Sequence, residues 1–195
     1  FANNINVTSP GSSPQGVSTA DFDGDGLSDF VGVSTSSNSI TVYRNTNAVN
    51  SQVNAVGFSS AVTYSIPFAS YFVKTGDLDG DGKIDIVVFS YNSTTSSVFI
   101  FKNTSTLGNL SFANRIDLTS VSTAYTGDLV DLDNDGKLDI VTANGTTSFS
   151  IFKNNIQGSL TANSFTRTDV TTSATVNNLS HADFDSDGLN DLVFT

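Results

Sequence analysis

Four nine-residue stretches recur along the chain: DFDGDGLSD at 21–29, DLDGDGKID at 77–85, DLDNDGKLD at 131–139 and DFDSDGLND at 183–191. Their first aspartates lie 56, 54 and 52 residues apart. A repeat of that length falls in the range of propeller blades and far above a heptad or a hexapeptide solenoid, so one loop belongs to each structural unit. Each stretch packs four aspartates together with at most one basic side chain among them. Two carboxylates about 4 Å apart repel by roughly 4 kcal/mol at an effective dielectric of about 20. Crowding of that kind calls for a compensating positive charge.

Composition places the acidity in the loops. All 19 acidic residues are Asp, and 16 of them sit in the four stretches. Elsewhere only Asp117, Asp128 and Asp169 stand against six Lys and Arg, the other two, Lys83 and Lys137, lying in the loops, so the net charge of −11 is a property of the loops. Four bound divalent cations would bring it to −3. The acidity therefore signals no basic partner, and no basic stripe exists to neutralise the phosphates of a nucleic acid. With 37% hydrophobic and 14% charged residues over 195 positions, a globular fold is expected. The apolar runs are far shorter than a membrane-spanning helix needs. Zero Cys excludes disulfides and thiolate metal sites. A start without Met or a signal peptide fits a mature or excised segment.

Each loop leads into a run rich in Val, Ile and Phe: DFVGVS from Asp29, DIVVFS from Asp85, DIVTAN from Asp139 and DLVFT from Asp191. These read as strands. A second strand is predicted at ITVYRNT (40–46), VFIFKNT (98–104) and FSIFKNN (149–155), each with an aromatic, then Arg or Lys, then Asn. A third begins at Gly57–Phe58, Phe112 and Phe165, and Phe1 opens a segment of the same kind. Stretches leading into the loops, such as 15–20, 71–76 and 176–182, supply the fourth. The Ser, Thr, Asn and Gly runs between them read as turns, and no helical periodicity of useful length occurs. Four strands per unit predict an all-β fold, a β-propeller of four-stranded antiparallel blades. About three and a half blades are expected in one array over residues 1–195: an outer strand at 1–10, blades at 15–66, 71–119 and 123–172, and a partial blade at 175–195.

The loops carry metal chemistry. Counting Asp21 as position 1, carboxylates fall at 1, 3, 5 and 9, with Gly26 at 6 and Leu27 at 7. Oxygen ligands on alternate residues converge on one cation, and Gly at 6 permits the sharp reversal that a side chain would obstruct. Position 7 is Leu27, Lys83, Lys137 or Leu189, so its backbone carbonyl is the expected donor. Calcium suits six to eight oxygens at flexible geometry, whereas magnesium demands a tighter octahedron and transition metals favour nitrogen or sulfur. An EF-hand would need Glu at position 12 and flanking helices, but Gly32, Val88, Thr142 and Phe194 stand there.

A shorter loop with Asp at position 9, followed directly by a strand, resembles the FG-GAP/VCBS repeat family of calcium-loop β-propellers, over nearly the whole chain. That resemblance implies one calcium ion per loop, held by the carboxylates at 1, 3, 5 and 9 and the carbonyl at 7. The ligands it assigns are Asp21, Asp23, Asp25, Leu27 and Asp29, then Asp77, Asp79, Asp81, Lys83 and Asp85. The third and fourth loops supply Asp131, Asp133, Asp135, Lys137 and Asp139, then Asp183, Asp185, Asp187, Leu189 and Asp191. Asn134 and Ser186 replace Gly at position 4, which is expected to alter loop flexibility but not ligand count. The literal Phe-Gly and Gly-Ala-Pro landmarks are absent, which makes the bacterial-style VCBS branch the closer likeness. Family propellers usually have seven blades, so these residues are expected to be part of a longer propeller, with a four-bladed ring or a dimer of halves as alternatives.

The remaining candidates carry blander readings. His181 is the only histidine and is expected to be a packing or hydrogen-bonding residue, because no positioned partner for a general base is signalled. Arg44, Lys102 and Lys153 recur at one strand position, where capping of sheet edges or snorkelling over the aromatic neighbour is expected. Arg115 with Asp117 and Arg167 with Asp169 share a strand face as surface ion pairs. Six sequons, at Asn6, Asn92, Asn103, Asn109, Asn144 and Asn178, matter only in a eukaryotic host.

The expected function is a non-enzymatic, calcium-stabilised module of a larger secreted or cell-surface protein, serving adhesion or the binding of a protein or glycan, with the remaining blades of the polypeptide as its other partner. A calcium-dependent lectin is the alternative, although Trp, the favoured stacking platform, is absent. A polysaccharide-active enzyme would need a Lys, Arg, Tyr or His cluster on one face, and none shows in the sequence. If position 7 ligates through its carbonyl, Asp79→Ala weakens one calcium site while Lys83→Ala leaves it nearly intact. Equal losses in calcium titrations of the two variants would refute the assignment.

Overall fold

The computed structural model describes residues 6–7, 13–47, 54–58, 61–91, 98–120 and 122–195. Among these, β1 (Pro14–Ala20), β2 (Asp29–Ser34), β3 (Ser39–Tyr43) and β4 (Ala61–Ser65) pair in chain order as one antiparallel sheet. The same meander is repeated by β5 (Ser70–Gly76), β6 (Asp85–Ser90), β7 (Val98–Phe101) and β8 (Ile116–Leu118), and again by β9 (Thr126–Val130), β10 (Asp139–Thr146), β11 (Ser148–Asn154) and β12 (Phe165–Thr171). A two-stranded sheet of β13 (Leu179–Ala182) and β14 (Asp191–Phe194) follows. The fold is all-β, and its four successive sheets have the make-up of propeller blades.

Each aspartate loop joins the first strand of a sheet to the second, and the first strands β1, β5, β9 and β13 neighbour one another. The cores lie between sheets. Ile86, Val88, Phe99 and Phe101 of the second sheet pack toward Val31, Val33, Ile40 and Val42 of the first. The alternate residues Val87, Phe89, Val98 and Ile100 pack toward Ile140 and Phe152 of the third. Side chains alternate across a strand, so a strand buried on both faces needs apolar residues at every position. That is why DIVVFS and VFIF read as unbroken apolar runs. Each such side chain contributes about 1.5–3 kcal/mol on burial.

Two predicted strand starts move. Gly57–Phe58 closes a 3-10 turn, Ala55–Phe58, and β4 begins only at Ala61. Phe58 instead packs its ring edge-on to Phe30 at 5.2 Å. Phe112 makes an isolated bridge to Asn103, and β8 begins at Ile116. The Phe112 ring meets Phe22 at 5.6 Å and Tyr64 at 5.8 Å, so it serves the core between sheets rather than a ladder. Phe165 opens β12 as predicted. The predicted outer strand at 1–10 lies outside the described residues except for Asn6 and Val7, which belong to no strand.

Sheet packing also fixes single glycines. A Cβ on Gly127, in β9, would fall 2.1 Å from Cε1 of Phe89, whereas one on Gly32, in β2, would meet nothing within 4 Å. Gly127→Ala is expected to destabilise by about 1–3 kcal/mol through overpacking. Gly32→Ala should be neutral or stabilising by up to about 1 kcal/mol. Urea denaturation of both variants checks the contrast.

Candidate metal centre

All four loops are wound the same way by their own carboxylates. In the first, Asp21 accepts N–H bonds from Gly24 (2.8 Å), Asp25 (3.1 Å) and Gly26 (2.7 Å). Position 1 does the same elsewhere, receiving Gly82 N–H on Asp77, Gly136 N–H on Asp131 and Gly188 N–H on Asp183 at 2.8, 2.8 and 3.0 Å. The reversal requires positive φ at position 6, where Gly26, Gly82, Gly136 and Gly188 have φ of 83–87°. Position 4 is left-handed as well, in Gly24 and Gly80 but also in Asn134 (φ 56°) and Ser186 (φ 64°). The expected change in flexibility there is thus a conformational cost, one that Asn bears more readily than Ser.

Position 9 is the buried anchor. Asp29 and Asp85 are 0% exposed and Asp139 2%. Asp29 accepts the N–H of Phe22 (2.9 Å) on one oxygen and of Asn45 (2.7 Å) on the other. Asp85 receives Leu78 and Asn103 at 3.0 and 2.8 Å, and Asp139 receives Leu132 and Asn154 at 3.2 and 2.8 Å. Burial pushes the Asp29 and Asp85 carboxyls up to about 6 in spite of these amides, with Asp23 and Asp79 nearby adding to the rise. Burial raises Asp139 in the same way.

Positions 1, 3 and 9 come together in every loop. One carboxylate oxygen each from Asp21, Asp23 and Asp29, from Asp77, Asp79 and Asp85, from Asp131, Asp133 and Asp139, and from Asp183, Asp185 and Asp191 lie within 4.8 Å of one another. The position-5 carboxylates of Asp25, Asp81, Asp135 and Asp187 are not in these groups. Each turns one oxygen to the N–H of position 7 at 2.8–3.0 Å. A cation fits the oxygen set of the second loop on a further observation. Asp79 has a side chain only 5% exposed, and its buried Oδ1 has no hydrogen-bond partner among the described residues. A buried carboxylate oxygen left unpaired is costly unless a cation completes it.

Arg44, Lys102 and Lys153, expected to cap sheet edges or snorkel over the aromatic neighbour, instead reach the loop carboxylates. Arg44 donates to Asp23, and to Asp25 at 2.6 Å. Lys102 donates to Asp79, and to Asp81 at 2.8 Å, and Lys153 donates to Asp133. Although burial works against its charge, the two carboxylates hold the Lys102 ammonium above the usual lysine range. The legible signal was one aromatic–Arg/Lys–Asn triplet after each of the first three loops. The fourth loop forms no ion pair among the described residues.

A model of the FG-GAP-like repeat matches residues 21–88, 77–142 and 131–194, each match opening on a position-1 aspartate. The chain belongs to the FG-GAP-like repeat family. A comparison with curated proteins gives no match. In this FG-GAP-like repeat protein the loops recur at the same place in each sheet, so the family assignment and the repeated carboxylate geometry coincide.

Away from the loops, His181 Nδ1 lies 3.1 Å from Asp128, which also pairs with Lys74 at 2.9 Å. The three residues stand on the neighbouring first strands β13, β9 and β5 and tie them together. Arg115–Asp117 and Arg167–Asp169 form the expected ion pairs, and Arg115 also covers the Phe99 ring at 5.1 Å. Asn103 and Asn144 are buried, which closes those two sequons in the folded protein. At the opposite strand ends from the loops, Tyr71, Phe72, Tyr91 and Tyr125 line a cavity of about 430 Å³. A register shift between Ser70 and Phe72 turns both Tyr71 and Phe72 outward.

The raised position-9 carboxyls set a pH dependence. Without a cation, Asp29 and Asp85 protonate near pH 6 in the folded chain and near the ordinary 3.8 when unfolded. The folded state then holds more protons, so their contribution is greatest at acidic pH and falls as pH rises through about 6. A cation needs the charged forms. Affinity for a cation is expected to weaken as pH is lowered through about 6, and a calcium titration series flat across about pH 5–8 would contradict this.

Proposed function

We propose that this chain is a non-enzymatic, calcium-binding β-propeller module of an extracellular or cell-surface protein, serving adhesion or protein or glycan binding. The observation that carries the reading is the buried, unpartnered Oδ1 of Asp79, a residue whose carboxylate groups with those of Asp77 and Asp85. The donors are all hard oxygens, and the loop can add the carbonyl of position 7 and the position-5 carboxylate to the grouped oxygens, a number and softness suited to calcium. Exposed loops of this kind suit the millimolar calcium outside cells. The bacterial-style VCBS branch is favoured by the missing Phe-Gly and Gly-Ala-Pro landmarks.

A second reading, a calcium-dependent lectin, is favoured by one observation. Tyr71, Tyr91 and Tyr125 are 39–47% exposed around one cavity, with Tyr91 and Tyr125 edge-to-face at 4.7 Å. Such rings present apolar faces and hydroxyls together, as sugar rings require.

Thermal unfolding in excess EDTA and in millimolar calcium tests the first reading. The midpoint should rise with calcium, by mass action on the folded state, and magnesium should substitute poorly. An unchanged midpoint removes the calcium reading. On a glycan array with calcium present, binding that is lost in Tyr91→Ala would favour the lectin.

A further inference from the structure

We infer that Asn103 and Asn154 couple neighbouring cation sites, so that occupancy of one loop raises the affinity of the next. The inference rests on the cation-binding reading above. Its basis is an unbroken run of hydrogen bonds linking three buried position-9 carboxylates. Phe22 donates its N–H to Asp29 at 2.9 Å, and its carbonyl accepts from Asn103 Nδ2 at 2.9 Å. The backbone N–H of that same Asn103 donates to Asp85 at 2.8 Å. Leu78 donates to the other oxygen of Asp85 at 3.0 Å, and its carbonyl accepts from Asn154 Nδ2 at 2.7 Å. Asn154 in turn donates its N–H to Asp139 at 2.8 Å.

Both asparagines are sealed and saturated. Asn103 is 1% exposed and Asn154 0%. Their amide NH₂ groups also reach Ile84 O (2.9 Å) and Leu138 O (3.2 Å) within their own loops, while their Oδ1 atoms accept from Ser105 (2.8 Å) and Ile156 (3.1 Å). The residues they reach are fixed as well, since Phe22 and Leu78 bury their side chains in the cores between sheets. Drawing a position-9 carboxylate onto a cation therefore restrains the position-2 residue, whose N–H bonds the carboxylate and whose carbonyl, on the following peptide group, holds the asparagine arriving from the next sheet. The coupling is carried by the positions of these buried residues, and it is reciprocal. Asn45, in the first sheet, makes the contact within its own loop, to Ser28 O at 3.0 Å. The third and fourth loops meet differently, through Asn134 to Gly188 O at 2.8 Å and Asn190 to Asp131 O at 2.9 Å in more exposed surroundings.

The test uses the full chain and calcium itself, with the amide signals of Gly26 and Gly136 in NMR titrations reporting the first and third loops separately. Asp79→Asn impairs the second loop alone. We expect it to lower calcium affinity at the first and third loops about five-fold or more. In an Asn103→Ser/Asn154→Ser background, which keeps the backbone N–H bonds to Asp85 and Asp139, the same Asp79→Asn change should leave the other two loops unaffected. Unaltered affinities at Gly26 and Gly136 when Asp79→Asn is made in the natural chain overturn the coupling, a result that needs no asparagine variant to fold. Equal losses in both backgrounds overturn the role of the asparagines. Absence of any calcium response in the natural chain would instead remove the cation-binding reading, and the coupling with it.

Discussion

A carboxylate buried at the start of the second strand in each of the three four-stranded sheets is the constraint around which the blades are organised. Asp29, Asp85 and Asp139 each stand where a loop ends and a strand begins, removed from water and accepting two backbone N–H groups. Burial of an unpaired charge would cost several kcal/mol. The amides offset part of that cost, and a cation within reach of the same oxygens would offset the rest. One of each pair of amides belongs to the loop and the other to an asparagine at the end of the third strand (Asn154) or two residues past it (Asn45, Asn103), so a single side chain fixes the loop on its sheet.

Electrostatic neutralisation is distributed with the same economy. Seven of the eight basic residues pair with an aspartate, and the eighth, Lys83, donates to Ser105 O at 2.8 Å. Arg44, Lys102 and Lys153 place their charge on positions 3 and 5 of the loops, where it moderates carboxylate repulsion without touching position 9. These tethered charges bond carboxylates that belong to the candidate cation sites. Lys102 leaves Asp79 Oδ1 open, and so the two forms of compensation are compatible in the second loop.

Packing between sheets links these local arrangements. Because both faces of the second sheet are buried, its strands gain no stability from a solvent face and depend on their neighbours. The loops share in this packing: position 2 inserts Phe22 or Leu78 into the core on one side, and position 8 brings Ile84 or Leu138 against the core on the other. A loop that contacts two cores and one carboxylate anchor is held from three directions.

By itself, the sequence determined the number and spacing of the loops, the all-β class, the strand runs after each loop and the loops in which aspartates come together, though not that position 5 stands outside the groups of positions 1, 3 and 9. These follow from short-range rules: alternate carboxylates turned by a glycine, and β-branched runs started directly by Asp. The start of β12 at Phe165 was legible for the same reason. Tertiary structure decided what depends on neighbours distant in the chain. Phe58 and Phe112 have the composition of strand openers but were drawn into aromatic packing against Phe30 and against Phe22 and Tyr64. Arg44, Lys102 and Lys153 looked like edge residues because their partners lie 19–23 positions earlier. Asp128 and His181, 53 residues apart, meet only because first strands of adjacent sheets lie together, and Asn154 reaches Leu78 across 76 residues for the same cause. Local pattern specifies which groups a segment offers, whereas the stacking of sheets specifies which of them meet.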